Sequence, residues 1–153
     1  MTLKAFFITT FVKQNKWHSS SVLGHTLKVT YQAIKHKDYR FIIPALLHDI
    51  GKPLVAFQDE SDIINDTYSF TDHEEKSYQL IKDLPFSDWT KNVVRWHYLI
   101  QDIKKCKEKG KLERYEEKRI IWNSLDEDLK KDIQTFFEYD SLGKKSWKFQ
   151  FFN

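Results

Sequence analysis

The stretch Leu46-Leu47-His48-Asp49-Ile50-Gly51-Lys52-Pro53 decides how this chain is read. An apolar run delivers an adjacent imidazole and carboxylate, and Gly-Lys-Pro follows at once. Ala45, Leu46, Leu47 and Ile50 make the segment apolar on most sides, which predicts a helix central to a core. That helix is expected over 38–52, with Asp38 as its N-cap, a kink or late start at Pro44, and Gly51 and Pro53 closing it. An adjacent His and Asp is common as a merely structural pair. Here other residues of the same kind surround it: His25 before, then His73, His97 and Asp140 after, in the order H…HD…H…H…D.

Helical patterns carry each of these residues. His25 falls in a helix over 22–35, where Val22, Val29 and Ala33 recur at helical spacing and Lys28, Lys35 and Lys37 point to water. Thr71-Asp72-His73-Glu74 reads as a capping box opening a helix to about Asp83. Ser87 caps a helix running through Lys107, with His97 in its middle beside Val93, Val94, Trp96, Ile100 and Ile103. Ser124-Leu125-Asp126-Glu127 reads as a second capping box, starting a helix to about Leu142 with Asp140 in its last turn and Gly143 as the stop. A first helix is expected over 3–13, with Phe6, Phe7 and Phe11 inward, followed by a polar loop carrying Trp17 and His18. The segment Leu54 to Phe70 has no clear period, and a connection of that length suits a lid beside a site. The expectation is an all-α, single compact bundle of about six helices.

Composition narrows the class further. The 153 residues suit one domain, 1–153, and 41 % hydrophobic with 16 % aromatic residues suffice for a core. Four glycines and three prolines argue against a turn-rich β-sandwich. Cys106 is the only cysteine, which excludes an intrachain disulfide and fits a cytoplasmic protein. The apolar run Ala5 to Val12 contains Thr9 and Thr10 and lacks a small-residue cleavage site, so it reads as a core helix rather than a signal peptide. No run approaches the ~18–20 apolar residues of a membrane span. The net charge is +3, yet Lys104 to Arg119 holds eight Lys or Arg against four Glu. Two readings of that segment stay open: a solvated helix pair around Gly110, or a phosphate or nucleic-acid contact. The aromatic tail, Trp147 to Phe152, covers either the core or a contact in a homo-oligomer.

Imidazole nitrogen and carboxylate oxygen suit first-row divalent ions, and helix bundles build metal sites from facing helices. Without a cysteine cluster a structural zinc finger is excluded. Each residue alone has a plainer reading: His73 or His97 as a satisfied core histidine, His48-Asp49 as a polar pair at a helix end, Asp140 as a surface acid. Together, several buried polar groups need partners, and a metal ion supplies them. Lys52 stands one turn on from the pair, either contacting a phosphate or satisfying a helix C-terminus.

The pattern resembles the HD-domain metal-dependent phosphohydrolases, whose centre often reads LLHDIGK. Within them it looks most like the HD domain of bacterial CCA-adding tRNA nucleotidyltransferases, over roughly Trp17 to Lys145. Trp17-His18 before Gly24-His25-Thr26-Leu27, His48 to Pro53, Phe70 to Glu74, and Asn92 to His97 carry that likeness. The nucleotidyltransferase head is missing, so CCA addition is not implied. The resemblance implies that His25, His48, Asp49 and Asp140 hold one divalent ion. It implies that His73 and His97 hold a second, with Asp49 bridging. One or two ions of manganese, iron, cobalt, nickel, zinc or magnesium are expected. The implied activity is hydrolysis of nucleotide or RNA-end phosphoesters, as a phosphomonoesterase or 2′,3′-cyclic phosphodiesterase, with Asp49 and Lys52 as catalytic residues. The alternative is a nucleotide- or RNA-binding module with little turnover.

Overall fold

The computed structural model describes Gln14 and residues 20–145. The helix expected over 3–13, Trp17, His18 and the tail from Trp147 lie outside the described residues. The described chain is helical throughout and contains no strand, only a single antiparallel bridge between Phe57 and Ser69.

Four helices make the core. Helix α1 (Val22–Lys35) starts at Ser21, whose hydroxyl accepts from the Gly24 amide, and buries Val22, His25, Val29 and Ala33 as its spacing requires. A 3-10 turn (Tyr39–Phe41) leads into α2 (Ile42–Leu47), where Pro44 sits in the first turn. Proline lacks only an amide that has no intrahelical partner there, so the helix starts late rather than kinking. Asp38 makes no side-chain cap; its carboxylate holds Arg40 instead. Helices α6 (Asp88–Trp96) and α9 (Glu127–Gly143) complete the bundle. Val29, Ala33, Phe41, Ala45, Val93, Ile133 and Phe136 are fully buried between these four.

Several boundaries differ from the sequence reading, and the differences place the site. The helix expected over 38–52 ends at Leu47; a turn carries His48 to Gly51, and a short α3 (Lys52–Val55) follows with Pro53 in its first turn. Gly51 is therefore no C-cap: its φ of −76° is ordinary. A Cβ there would lie 2.6 Å from the Ser77 nitrogen and 2.7 Å from the His73 carbonyl, so glycine permits close approach of α5 (His73–Ile81). The unperiodic segment after α3 folds a short α4 (Glu60–Asn65), capped reciprocally by Asp59 and Asp62. The box expected at Thr71 does not form; Asp72, in the left-handed region at φ 54°, precedes α5 without a side-chain cap. The box expected at Ser124 gives way to Asp126, whose carboxylate accepts from the Leu129 amide, while Ser124 ends α8 (Leu112–Ser124). The long helix expected from Ser87 to Lys107 is broken at His97-Tyr98, and α7 (Leu99–Glu108) is a separate element. Helices α7 and α8 pack as a pair around Gly110, which takes φ 65°; α8 buries no residue, whereas α7 buries Leu99, Asp102 and Cys106.

Candidate metal centre

Three of the histidines sit where a helix begins or ends, and each is oriented in the same way. His48 Nδ1 lies 2.8 Å from the Ala45 carbonyl, His73 Nδ1 2.9 Å from that of Phe70, and His97 Nδ1 2.7 Å from that of Val94. A carbonyl only accepts, so each Nδ1 carries the proton and donates three residues back. This is how ligand imidazoles are commonly fixed, and it turns Nε2 toward the centre. Burial, with Lys52 close by, holds His73 well below the usual imidazole range. Burial and His48 bring His97 down to about 4. Both rings are neutral at pH 7, with the Nε2 lone pair bare.

Asp49 occupies the middle. Its Oδ2 lies 3.2 Å from His48 Nε2 and 3.7 Å from His25 Nε2; its Oδ1 lies 3.4 Å from His73 Nε2 and 3.8 Å from His97 Nε2. From α9, Asp140 Oδ1 lies 2.8 Å from His25 Nε2 and 3.8 Å from His48 Nε2. All six sequence candidates thus converge, and all six are buried. Phe136 packs against the His48 and His97 rings and ties the centre to the hydrophobic core. Burial pushes the Asp49 carboxyl up, but His48 and Lys52 outweigh it and hold the group well below the usual carboxylate range. Burial acts likewise on Asp140, where the His25 contact and Lys144 prevail.

The arrangement fits a divalent cation. Neutral acceptors on His73 and His97 face Asp49 Oδ1, itself an acceptor, and that oxygen is buried without a hydrogen-bond partner, as is His48 Nε2. Acceptors facing acceptors in a desolvated site repel unless a cation stands among them. Two overlapping trios, His25–His48–Asp140 and His48–Asp49–His97, bring one ligand atom each within 4.8 Å of one another. Nitrogen and carboxylate oxygen are compatible with several first-row ions.

Protonation works against this centre in a defined window. The unfolded chain takes up protons at imidazole near pH 6.5, whereas folded His97 does so at about 4. Between those values the unfolded state binds more protons at His97 and at His73, which is also lowered, and together they outweigh Glu74, raised to about 7 and acting in the opposite sense, so metal-free stability falls as pH drops. His97 alone contributes on the order of 3 kcal/mol across that range. Below about pH 4, protonation of Asp49 and Asp140 continues the loss. Thermal melts of the metal-free protein are expected to be level above pH 7 and to fall steadily from 6.5 to 4.5; a level profile across that span contradicts the assignment.

Around the ligands the sequence reading was partly corrected. Lys52 opens α3 rather than closing a helix, so the C-terminal reading fails. Its ammonium lies 2.7 Å from Asp49 Oδ2 and 2.6 Å from Gln14 Oε1. Lys144 Nζ lies 2.6 Å from Asp140 Oδ2, while Lys145 is exposed. Glu74 caps nothing: its Oε2 is buried without a hydrogen bond, and burial raises the group to about 7. Its oxygen stands 3.3 Å from His73 Nδ1, whose proton is already given to Phe70. Tyr98 and Gln14 escaped the sequence reading. Tyr98 directly follows His97, and its ring packs edge-on against His73.

The HD domain family matches residues 22–125. The chain belongs to the HD domain family. HD domains are generally metal-dependent hydrolases, and the His-Asp pair at 48–49 stands at the centre of this one. The match ends before Asp140, which therefore joins the HD site on geometry alone. It does not extend to the narrower likeness to CCA-adding enzymes. No curated protein and no solved structure matches the chain. Among the described residues, no helix of this HD domain is long and apolar enough to cross a membrane.

Proposed function

We propose that this HD domain is a metal-dependent phosphohydrolase acting on nucleotide or RNA-end phosphoesters, as a phosphomonoesterase or 2′,3′-cyclic phosphodiesterase. The observation that carries the reading is the division of the Asp49 carboxylate. One oxygen faces His25 and His48, and the other faces His73 and His97. On this reading His25, His48, Asp49 and Asp140 hold one divalent ion, and His73 and His97 hold a second with Asp49 between. Such ions lower the pKa of water and offset charge on phosphoryl oxygens.

The chain's own groups have further roles. The three backbone-anchored imidazoles keep their Nε2 atoms aimed without further reorganisation. Lys52 pairs with Asp49 and faces the cleft, where it suits a phosphate oxygen as a point charge. The cleft over the centre is only about 20 Å³, lined by Asp49, Lys52, His73, His97, Tyr98, Asp140 and Lys144. That space suits the tip of a phosphoryl group and leaves a nucleoside or strand outside, which favours a terminal or cyclic phosphate. The likeness to CCA-enzyme HD domains leans the same way, toward an RNA end. A cytoplasmic setting suits the single buried thiol of Cys106.

Product release from nucleoside phosphates and 2′,3′-cyclic nucleotides, with manganese, cobalt, nickel or magnesium, tests the proposal. Turnover is expected only with metal, is lost on chelation and returns on reloading. Metal-loaded protein that binds nucleotides yet turns over none would instead identify a binding module.

A further inference from the structure

Lys105 is an ammonium with an unusual setting. It is half-buried on α7, seven residues on from Tyr98 and on the same helical face. Its Nζ donates to the Tyr98 hydroxyl. Among the described residues no carboxylate stands within ion-pair distance of it. The nearest acid on its own helix, Asp102, is engaged by Arg114 at 3.0 Å and Lys118 at 3.7 Å. Burial and then Lys144 and Lys109 depress its proton affinity, Lys52 adds to them, and Asp102 opposes them only in part. Lys52 and Lys144, which line the cleft with Tyr98, already hold Asp49 and Asp140, whereas Lys105, joined to the cleft through Tyr98, has no ion pair among the described residues.

Desolvating a cation among cations is costly, and an anion relieves the cost. The Tyr98 hydroxyl adds a donor, because it accepts from Lys105 and its own proton is left to give. Lys109, one turn further along the same face, extends the positive row outward from the centre.

We propose that Lys105 and the Tyr98 hydroxyl form an anion subsite beside the metal centre that takes a second phosphate of the substrate, the neighbour of the one that reacts. The preferred substrate then carries directly linked phosphates, as a nucleoside di- or triphosphate or a strand with a 5′-polyphosphate end does. This rests on the phosphohydrolase reading, and the test keeps the two apart.

Calorimetry on the metal-loaded full chain would compare methylphosphonate with methylenediphosphonate, whose P–C–P link resists hydrolysis, with metal content measured alongside. Lys105→Met is expected to weaken diphosphonate binding about tenfold or more, losing a hydrogen bond to a charged group, and Tyr98→Phe several-fold. Methylphosphonate should weaken far less in both, and Lys105→Arg should recover most of the loss. Equal weakening of both probes would place Lys105 on the reacting phosphate and overturn the subsite, as would no weakening of either. Should the loaded protein hydrolyse no phosphoester while the diphosphonate difference persists, the hydrolase reading fails and the subsite stands.

Discussion

Asp49→Ala is expected to remove metal-dependent turnover by at least about 10³-fold, since every proposed ligand set runs through this carboxylate. It should also strip bound metal, read by elemental analysis after gel filtration. The variant carries a second cost that must be separated from the first. Lys52 is 5 % exposed and would keep the Gln14 amide oxygen and the Phe70 ring but no carboxylate among its described partners. Breaking a buried pair from one side costs roughly 3–5 kcal/mol. Metal-free Asp49→Ala should therefore melt below the parent. Asp49→Asn resolves the ambiguity, because it keeps an oxygen for Lys52 and the shape of the side chain while losing the charge. Its melting should stay nearer the parent, and its turnover and metal content should fall nearly as far as in the alanine variant. Full activity in Asp49→Asn would sink the assignment of this carboxylate as the shared ligand.

What the sequence disclosed follows from what is periodic. Val22, Val29 and Ala33 repeat at helical spacing, so the helix carrying His25 was legible, and Asp140 fell in the last turn of its helix as expected. The candidate set was legible because six residues of the right chemistry stood in a recognisable order, and the fold brings all six together. The boundaries beside the ligands were not legible. Apolar periodicity continues through His48 and His97, whereas the α-helix gives way to a turn at both, with φ and ψ still in the helical region, and the imidazoles take the Ala45 and Val94 carbonyls. A capping pattern such as Thr71 to Glu74 describes a local option, and tertiary packing chose another: Glu74 is half-buried with its Oε2 turned inward, and Asp72 reaches Arg114 of α8. Lys105 was hidden for a different reason. It is one of eight basic residues spread over Lys104 to Arg119, and only the fold shows its contact with the Tyr98 hydroxyl.

Gly51→Ala is expected to lower stability by about 2–4 kcal/mol, the sum of overpacking against backbone and a weakened buried hydrogen bond. Helix propensity alone predicts the opposite sign, because φ −76° and ψ −24° suit alanine and glycine is about 1 kcal/mol worse in a helical position. Sterics decide. The added Cβ would meet the Ser77 nitrogen at 2.6 Å, the His73 carbonyl oxygen at 2.7 Å and the Lys76 carbonyl carbon at 2.9 Å. All three are backbone atoms, which no change of rotamer moves aside. The Gly51 amide also donates to Ser77 Oγ at 3.0 Å, a bond that lengthens if α5 is pushed away. The same displacement carries His73 from Asp49 Oδ1, now 3.4 Å from its Nε2. The variant should thus lose affinity for a second ion as well as stability, with melting lower by roughly 5–12 °C for a chain of this size. Gly110→Ala is the internal comparison: its φ of 65° costs about 1 kcal/mol, but a Cβ there meets nothing within 4 Å, so metal affinity should not change. If Gly51→Ala melts within a degree or two of the parent and binds metal as before, α3 and α5 can separate freely. The close approach of Gly51 to α5 would then not be what sets the distance between His73 and Asp49.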